Sequence, residues 1–289
     1  MSDPPHRPRD PIPTHTSMVA GYEGASREET RGSCTKKQLG IVVSYSSNEA
    51  RFLPALAREL PRCGALDVVF AVGTHLFDME PEPEPMVPGR VVRYNVRQDA
   101  REVPRHYHNL ARESGVAALA PGVDWVIFID ADEVPEGDRV REWFNATELH
   151  SGTAYKIACH WYFLHPVLRA KEVEDSILLV PRSRLSQEAL RDPRERDGIV
   201  AALPVCERMV SASEPLFHHY SWVRDRKGLL RKVRTWGHRN DRLDWEQCID
   251  DALNATSIEN LTENGVAGDF LDFVHGYKYD IAPDFLQSE

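Results

Sequence analysis

At 289 residues, with 42% hydrophobic and 28% charged residues, the chain is long enough for a sizeable buried core and has the composition of a globular protein. The formal charge of -10 argues against a general nucleic-acid binder, whose affinity comes largely from neutralised phosphates. No apolar run approaches the ~18 residues of a membrane-spanning helix.

Residues 1 to about 36 are rich in Pro, Arg, Ser, Thr and Glu and have no hydrophobic period. They read as a disordered or loosely docked tail without the apolar middle of a secretory signal. The five cysteines, Cys34, Cys63, Cys159, Cys206 and Cys248, form no close pairs. That fits reduced thiols and a cytoplasmic protein better than a disulfide framework. Without a secretory signal, the N-x-T sequons at Asn145, Asn254 and Asn260 are read as chance matches.

From Leu39 the pattern becomes regular. LGIVVSY is a short strand, and SSNEARFLPALAREL follows with Phe52, Leu53, Leu56 and Leu60 near helical spacing. LDVVFAV and RVVRYNV are two further strands, separated by the acidic, proline-rich loop MEPEPEPMVP. VPRHYHNLARESGVAALA is helical and DWVIFID is a fourth strand. Strands alternating with helices predict an α/β fold with a mostly parallel sheet covered on both faces. Beyond Gly152 the texture changes to the longer strands AYKIACHWYFL and SILLVPR, followed by helices that begin with VRDRKGLLRKVRTWGH. The expected organisation is one domain over 37–289, with an α/β half to about 150 and a mixed half from about 151.

The fourth strand runs into Asp130, Asp132 and Glu133. In open parallel sheets, ligands bind beyond the carboxyl ends of the strands. In an extended segment, residues two apart share a side, so Asp130 and Asp132 can face one point while Glu133 points away or supports the turn. Paired hard oxygens suit Mn²⁺ or Mg²⁺ with substrate phosphates as further ligands; the plain alternative is a solvated acidic turn.

These pieces together resemble family 2 glycosyltransferases of the GT-A fold. The resemblance rests on IVVSYSSNEARFLP, RHYHNLARESG and above all DWVIFIDADE, with FHHYSW and LLRKVRTWG as a His-Tyr and Lys-x-x-x-x-Gly pattern. It covers about Leu39 to Gly237. It implies a nucleotide-sugar half over about 37–150, an acceptor half over about 151–289, and a nucleotide-diphosphate sugar donor held through a divalent metal. By that resemblance, Asp130 touches the ribose or metal-bound water, Asp132 ligates the metal, and Ser44 and Tyr45 flank the nucleotide. His219 matches the histidine and joins Asp130 and Asp132 in the metal set, with a packed, hydrogen-bonded histidine as the alternative, while Lys232 matches the lysine near the diphosphate. The sequence departs from the family after the second strand, where FAVGTHLFD lacks the usual base-contacting aspartate.

Other residues are read from their own spacing. Arg105, Asn109 and Arg112 share a helical face and could reach the donor, or be solvated surface. Val223–His238 concentrates Arg and Lys in an acidic chain, as a local anion site or a solvated face. Trp161, Tyr162 and His165 are candidates for an acceptor platform, or core. Among the acids Glu172, Glu174 and Asp175 of KEVEDS, taken to precede the next strand, Asp175 with Glu174 behind it is the candidate base for a glycan or other acceptor hydroxyl in an inverting transfer. Rival readings are a sugar-nucleotide nucleotidyltransferase, a nucleic-acid base glycosyltransferase and a noncatalytic nucleotide- or glycan-binding module. Against the first, SYSSNEAR lacks a glycine-rich phosphate loop.

Overall fold

The computed structural model describes residues 37–75, 81–95, 106–209, 215–235, 243–255 and 278–287. The tail reading for residues 1–36 lies outside them. The described elements all belong to the compact unit Lys37–Glu289. No described helix is long and apolar enough to cross a membrane.

The first half is built from β1 (Leu39–Tyr45), α1 (Leu53–Glu59), β2 (Asp67–Gly73), β3 (Arg90–Tyr94), α2 (His106–Ala118) and β4 (Trp125–Asp130). Its strands lie in the order β3-β2-β1-β4, and all three pairings are parallel. The apolar runs leave each strand with both faces to bury, as a covered parallel sheet requires. On one face Ile41, Val43, Ile127 and Ile129 pack with Leu56 of α1, and with Val140 and Phe144 of α3 (Gly137–Ala146). On the other, Val42, Val69, Val126 and Phe128 pack with Leu119 and Val123 beyond α2. The helices cover both faces of the mixed α/β sheet.

The second half adds β5 (Glu133–Pro135), β6 (Thr153–Tyr162), β7 (Leu168–Pro181), α4 (Gln187–Arg191), α5 (Arg196–Ala201), β8 (Val205–Met209), β9 (Phe217–His219), α6 (Arg226–Thr235), α7 (Trp245–Ala255) and β10 (Tyr279–Ile281). The sheet continues from β4 through β7, β6 and β9 to β5, with mixed pairing directions. KEVEDS does not precede a strand. Its residues lie within β7, because β6 and β7 form one long antiparallel pair whose register slips between Ile157 and Cys159 and between His160 and Tyr162. A separate cluster of Trp161, Phe163, Trp222, Leu229, Val233, Trp245, Ile249 and Tyr279 holds α6 and α7 to this half.

One close approach fixes α2 on the sheet. A Cβ added at Gly115 would lie 2.3 Å from Cγ1 of Val42. Gly-to-Ala in a helix interior ordinarily stabilises by roughly 0.5–1 kcal/mol. Here the sign reverses: overpacking against β1 gives Gly115→Ala an expected cost of ~1–3 kcal/mol, measured by urea unfolding. A variant as stable as the parent would mean that α2 does not pack this closely.

Candidate active site

The turn after β4 sets the site. β4 stops at Asp130, and Ala131 then donates its N–H to the Ser44 carbonyl, holding the turn against the end of β1. The chain reverses into β5, which pairs with β9 so that Glu133 lies opposite His219; Tyr220 donates to the Asp132 carbonyl. The acidic turn and the histidine strand, far apart in sequence, are thereby joined by backbone bonds.

Beyond these strand ends lies a cavity of about 570 Å³. Ser44, Arg112, Asp130, Asp132, Glu174, Asp175, His219 and Lys232 all line it. Asp132 is buried, with Oδ2 2.8 Å from a terminal nitrogen of Arg224 and 3.7 Å from Nζ of Lys232. Burial pushes its carboxyl up, but Lys232, Arg224 and His219 outweigh that and hold it below the usual carboxylate range. Asp130 follows the same balance: burial raises it, while Arg196, His108 and Arg112 bring it below its ordinary value. Both aspartates therefore stay ionised. Lys232 shifts downward, through burial and the neighbouring Arg224.

His219 and His218 point to opposite sides, as neighbours on a strand must. His219 faces the cavity, its Nδ1 3.1 Å from Glu174 and its Nε2 3.8 Å from Asp132. Burial disfavours its charged form, yet the bonds to Cys159 and Glu174 raise it well above the ordinary histidine value. His218 instead bonds the Tyr162 hydroxyl at 2.8 Å and Glu136 at 3.2 Å, and stacks with Tyr220.

Several expected site residues are placed elsewhere. Tyr45 belongs to the apolar cluster, where burial pushes its hydroxyl up to about 12. Strand alternation allows only one of Ser44 and Tyr45 to face the cavity, and that one is Ser44. Asn109 is buried, donating to the Asp192 carbonyl and accepting from Arg112, so it braces α2 against the end of α4. Arg105 lies outside the described residues. The aromatic platform is not assembled. Trp161 lines the cavity while stacking with Phe163, but Tyr162 bonds His218 in another cluster and His165 is exposed at the hairpin tip. Glu172 is exposed and does not line the cavity.

Two contributors were not legible in the sequence, and a third, Arg224, was legible only as part of the basic Val223–His238 segment. Arg196, at the start of α5, pairs with Glu133 at 2.8 and 2.6 Å and with Asp130 at 3.3 Å. Glu133 in turn accepts the Asp130 backbone N–H at 2.7 Å, so the third acid of the turn is its brace. Arg224 precedes α6 and bridges Asp132 and Glu49. Cys159, fully buried, sits beside His219 and Glu174.

The chemistry of this donor set fits a hard divalent cation. Oδ1 of Asp130 is a buried acceptor with no hydrogen-bond partner among the described residues. Mg²⁺ and Mn²⁺ commonly use one or two carboxylates and complete their shell with substrate oxygens and water. The ligand atoms of Asp130, Asp132 and His219 do not meet within the 4.8 Å that defines the tighter Cys159, Glu174 and His219 group, so substrate oxygens would have to complete the shell.

No family model and no curated protein match the sequence. Among solved structures, the chain is similar to Rv0371c from Mycobacterium tuberculosis H37Rv, solved in complex with manganese, at 14% identity over 61% of this chain and 89% of that one, TM-score 0.36. It is similar to the catalytic domain of Drosophila β1,4-galactosyltransferase 7, solved with xylobiose, at 17% identity over 63% and 70%, TM-score 0.34. A third similarity, to S. aureus TarS, is 10% identical over 78% and 75%, TM-score 0.39. Likenesses this distant assign no residue and no reaction. The mixed α/β architecture rests on the strand order and the covered sheet themselves.

Proposed function

We propose that residues 37–289 form one catalytic domain, a metal-dependent glycosyltransferase that moves a sugar from a nucleotide-diphosphate donor to a glycan hydroxyl with inversion. One observation carries this reading: Asp130 and Asp132 share one cavity at the carboxyl end of β4 with the basic side chains of Arg112, Arg196, His219 and Lys232. A cavity so paired suits a ligand that brings both a divalent cation and phosphate oxygens.

Asp130, Asp132 and His219 would hold Mn²⁺ or Mg²⁺, which supplies Lewis-acid stabilisation of charge on the leaving diphosphate. Lys232 and Arg224, which neutralise Asp132 here, are positioned to turn to the diphosphate oxygens. Arg112, buried with its Nε lacking a partner among the described residues, offers a further donor. Of the two candidate bases, both of which line the cavity, Asp175 is assigned to take the acceptor proton, with Glu174 held by Nδ1 of His219 behind it. The free cysteines Cys63, Cys159, Cys206 and Cys248 are consistent with a cytoplasmic setting.

A thermal-shift screen of nucleoside diphosphates, each with and without Mn²⁺, tests the donor site. A binder present at 100 times its dissociation constant should stabilise the fold by ~2.7 kcal/mol, and EDTA should remove that gain. Equal stabilisation in EDTA would end the metal reading. Release of pyrophosphate from a nucleoside triphosphate and a sugar phosphate would make the protein a nucleotidyltransferase instead.

A further inference from the structure

Cys159, Glu174 and His219 come from three neighbouring strands, β6, β7 and β9. Cys159 lies opposite Glu174 on one side and Phe217 on the other, where the β6–β7 register slips. Their ligand atoms all lie within 4.8 Å of one another. Nδ1 of His219 is 3.1 Å from Oε2 of Glu174, and Sγ of Cys159 is 3.1 Å from the Ser176 hydroxyl. Cys159 is fully buried, while Glu174, Ser176 and His219 line the cavity and give a cation a way in.

We propose that these three side chains form a site for a thiophilic divalent cation of the zinc class, separate from the aspartate pair. The donor set of one sulfur, one imidazole nitrogen and one carboxylate oxygen is one that Zn²⁺ takes in tetrahedral geometry. Metal–ligand lengths of about 2.0–2.2 Å place two such N and O donors roughly 3.3 Å apart, close to the 3.1 Å separation of His219 and Glu174. Water from the cavity supplies the fourth position. Binding replaces the Cys159 thiol proton and the proton shared between His219 and Glu174, and both leave to solvent. The Ser176 hydroxyl then donates to the sulfur as an outer partner.

Ligand softness separates this site from the aspartates. Mn²⁺ and Mg²⁺ favour oxygen, whereas thiolate selects zinc-like ions. The two sites meet at one imidazole: Nδ1 serves the thiol side while Nε2 stays directed at Asp132, 3.8 Å away. A cation on Nδ1 would fix the ring's orientation toward the aspartates. The site itself does not depend on the transferase reading.

The test is a titration of the metal-free full chain, under reductant, with Co²⁺ as a spectroscopic stand-in. One equivalent should produce a near-ultraviolet thiolate-to-cobalt charge-transfer band, and Zn²⁺ should bleach it. Cys159→Ser should abolish the band with an unchanged circular-dichroism spectrum, and Asp130→Asn should retain it. Should Cys159→Ser fail to fold, Ser176→Ala decides through affinity, with an expected loss of about 10- to 100-fold for an outer-sphere partner. Absence of the band in the parent overturns the proposal, as does its survival in Cys159→Ser. Unaltered Co²⁺ affinity in Ser176→Ala counts equally against it. Since the readout is thiolate ligation, failure here leaves Mn²⁺-dependent nucleotide binding standing.

Discussion

Asp132→Asn is expected to lower sugar transfer by about a thousandfold, because it removes a charge that stabilises the metal by several kcal/mol and each ~1.4 kcal/mol is tenfold in rate. Asparagine keeps the shape, so the change isolates charge. Asp132 also neutralises Arg224 and Lys232 in this structure, and Arg224 would retain Glu49 at 2.9 Å. The fold should therefore survive, and a melting curve run beside the assay separates lost chemistry from lost structure. The residual rate should no longer respond to added Mn²⁺. A folded variant as active as the parent would show that the paired acids serve the surrounding arginines and not a metal.

How much of this site could be read from residues alone depended on whether a local pattern existed. The apolar run Val126–Ile129 ending in Asp130 carries its own position, because a buried strand must stop where charge begins. Opposite facing of His218 and His219 followed from strand period. Tyr45 was misread because position at a strand end does not say which face a side chain takes. Of Trp161, Tyr162 and His165 only Trp161 lines the cavity, since alternation turns Tyr162 into the other cluster and His165 sits at the hairpin tip. Arg196 left no signal. It sits in the charged run RDPRERDG, on a helix too short for a hydrophobic period, and its role exists only through contact with a turn 63 residues away. Cys159 read as one reduced thiol among five until the β6–β7–β9 pairing set it beside Glu174 and His219.

Breaking the brace beneath the acidic turn is the second large effect expected. Glu133 is 1% exposed in its side chain and pairs at two points with Arg196, itself 15% exposed. Removing one partner of such a pair leaves a buried charge uncompensated, at a cost of ~3–5 kcal/mol. Glu133→Gln should therefore lower the melting temperature by on the order of 10 °C in a domain of this size. Asp130 at 3.3 Å can absorb part of the freed guanidinium charge, but doing so draws it away from the cavity. Metal-dependent nucleotide binding should weaken along with stability, though the variant replaces none of the proposed ligands. The double variant Glu133→Leu with Arg196→Met separates the two effects. With both charges gone, stability should return except for ~1–3 kcal/mol, since the Asp130 N–H has lost its acceptor. Binding should stay impaired, because the turn would no longer be held in register. A midpoint for Glu133→Gln within ~0.5 kcal/mol of the parent, the range of ordinary surface changes, would show that the pair bears little of the fold.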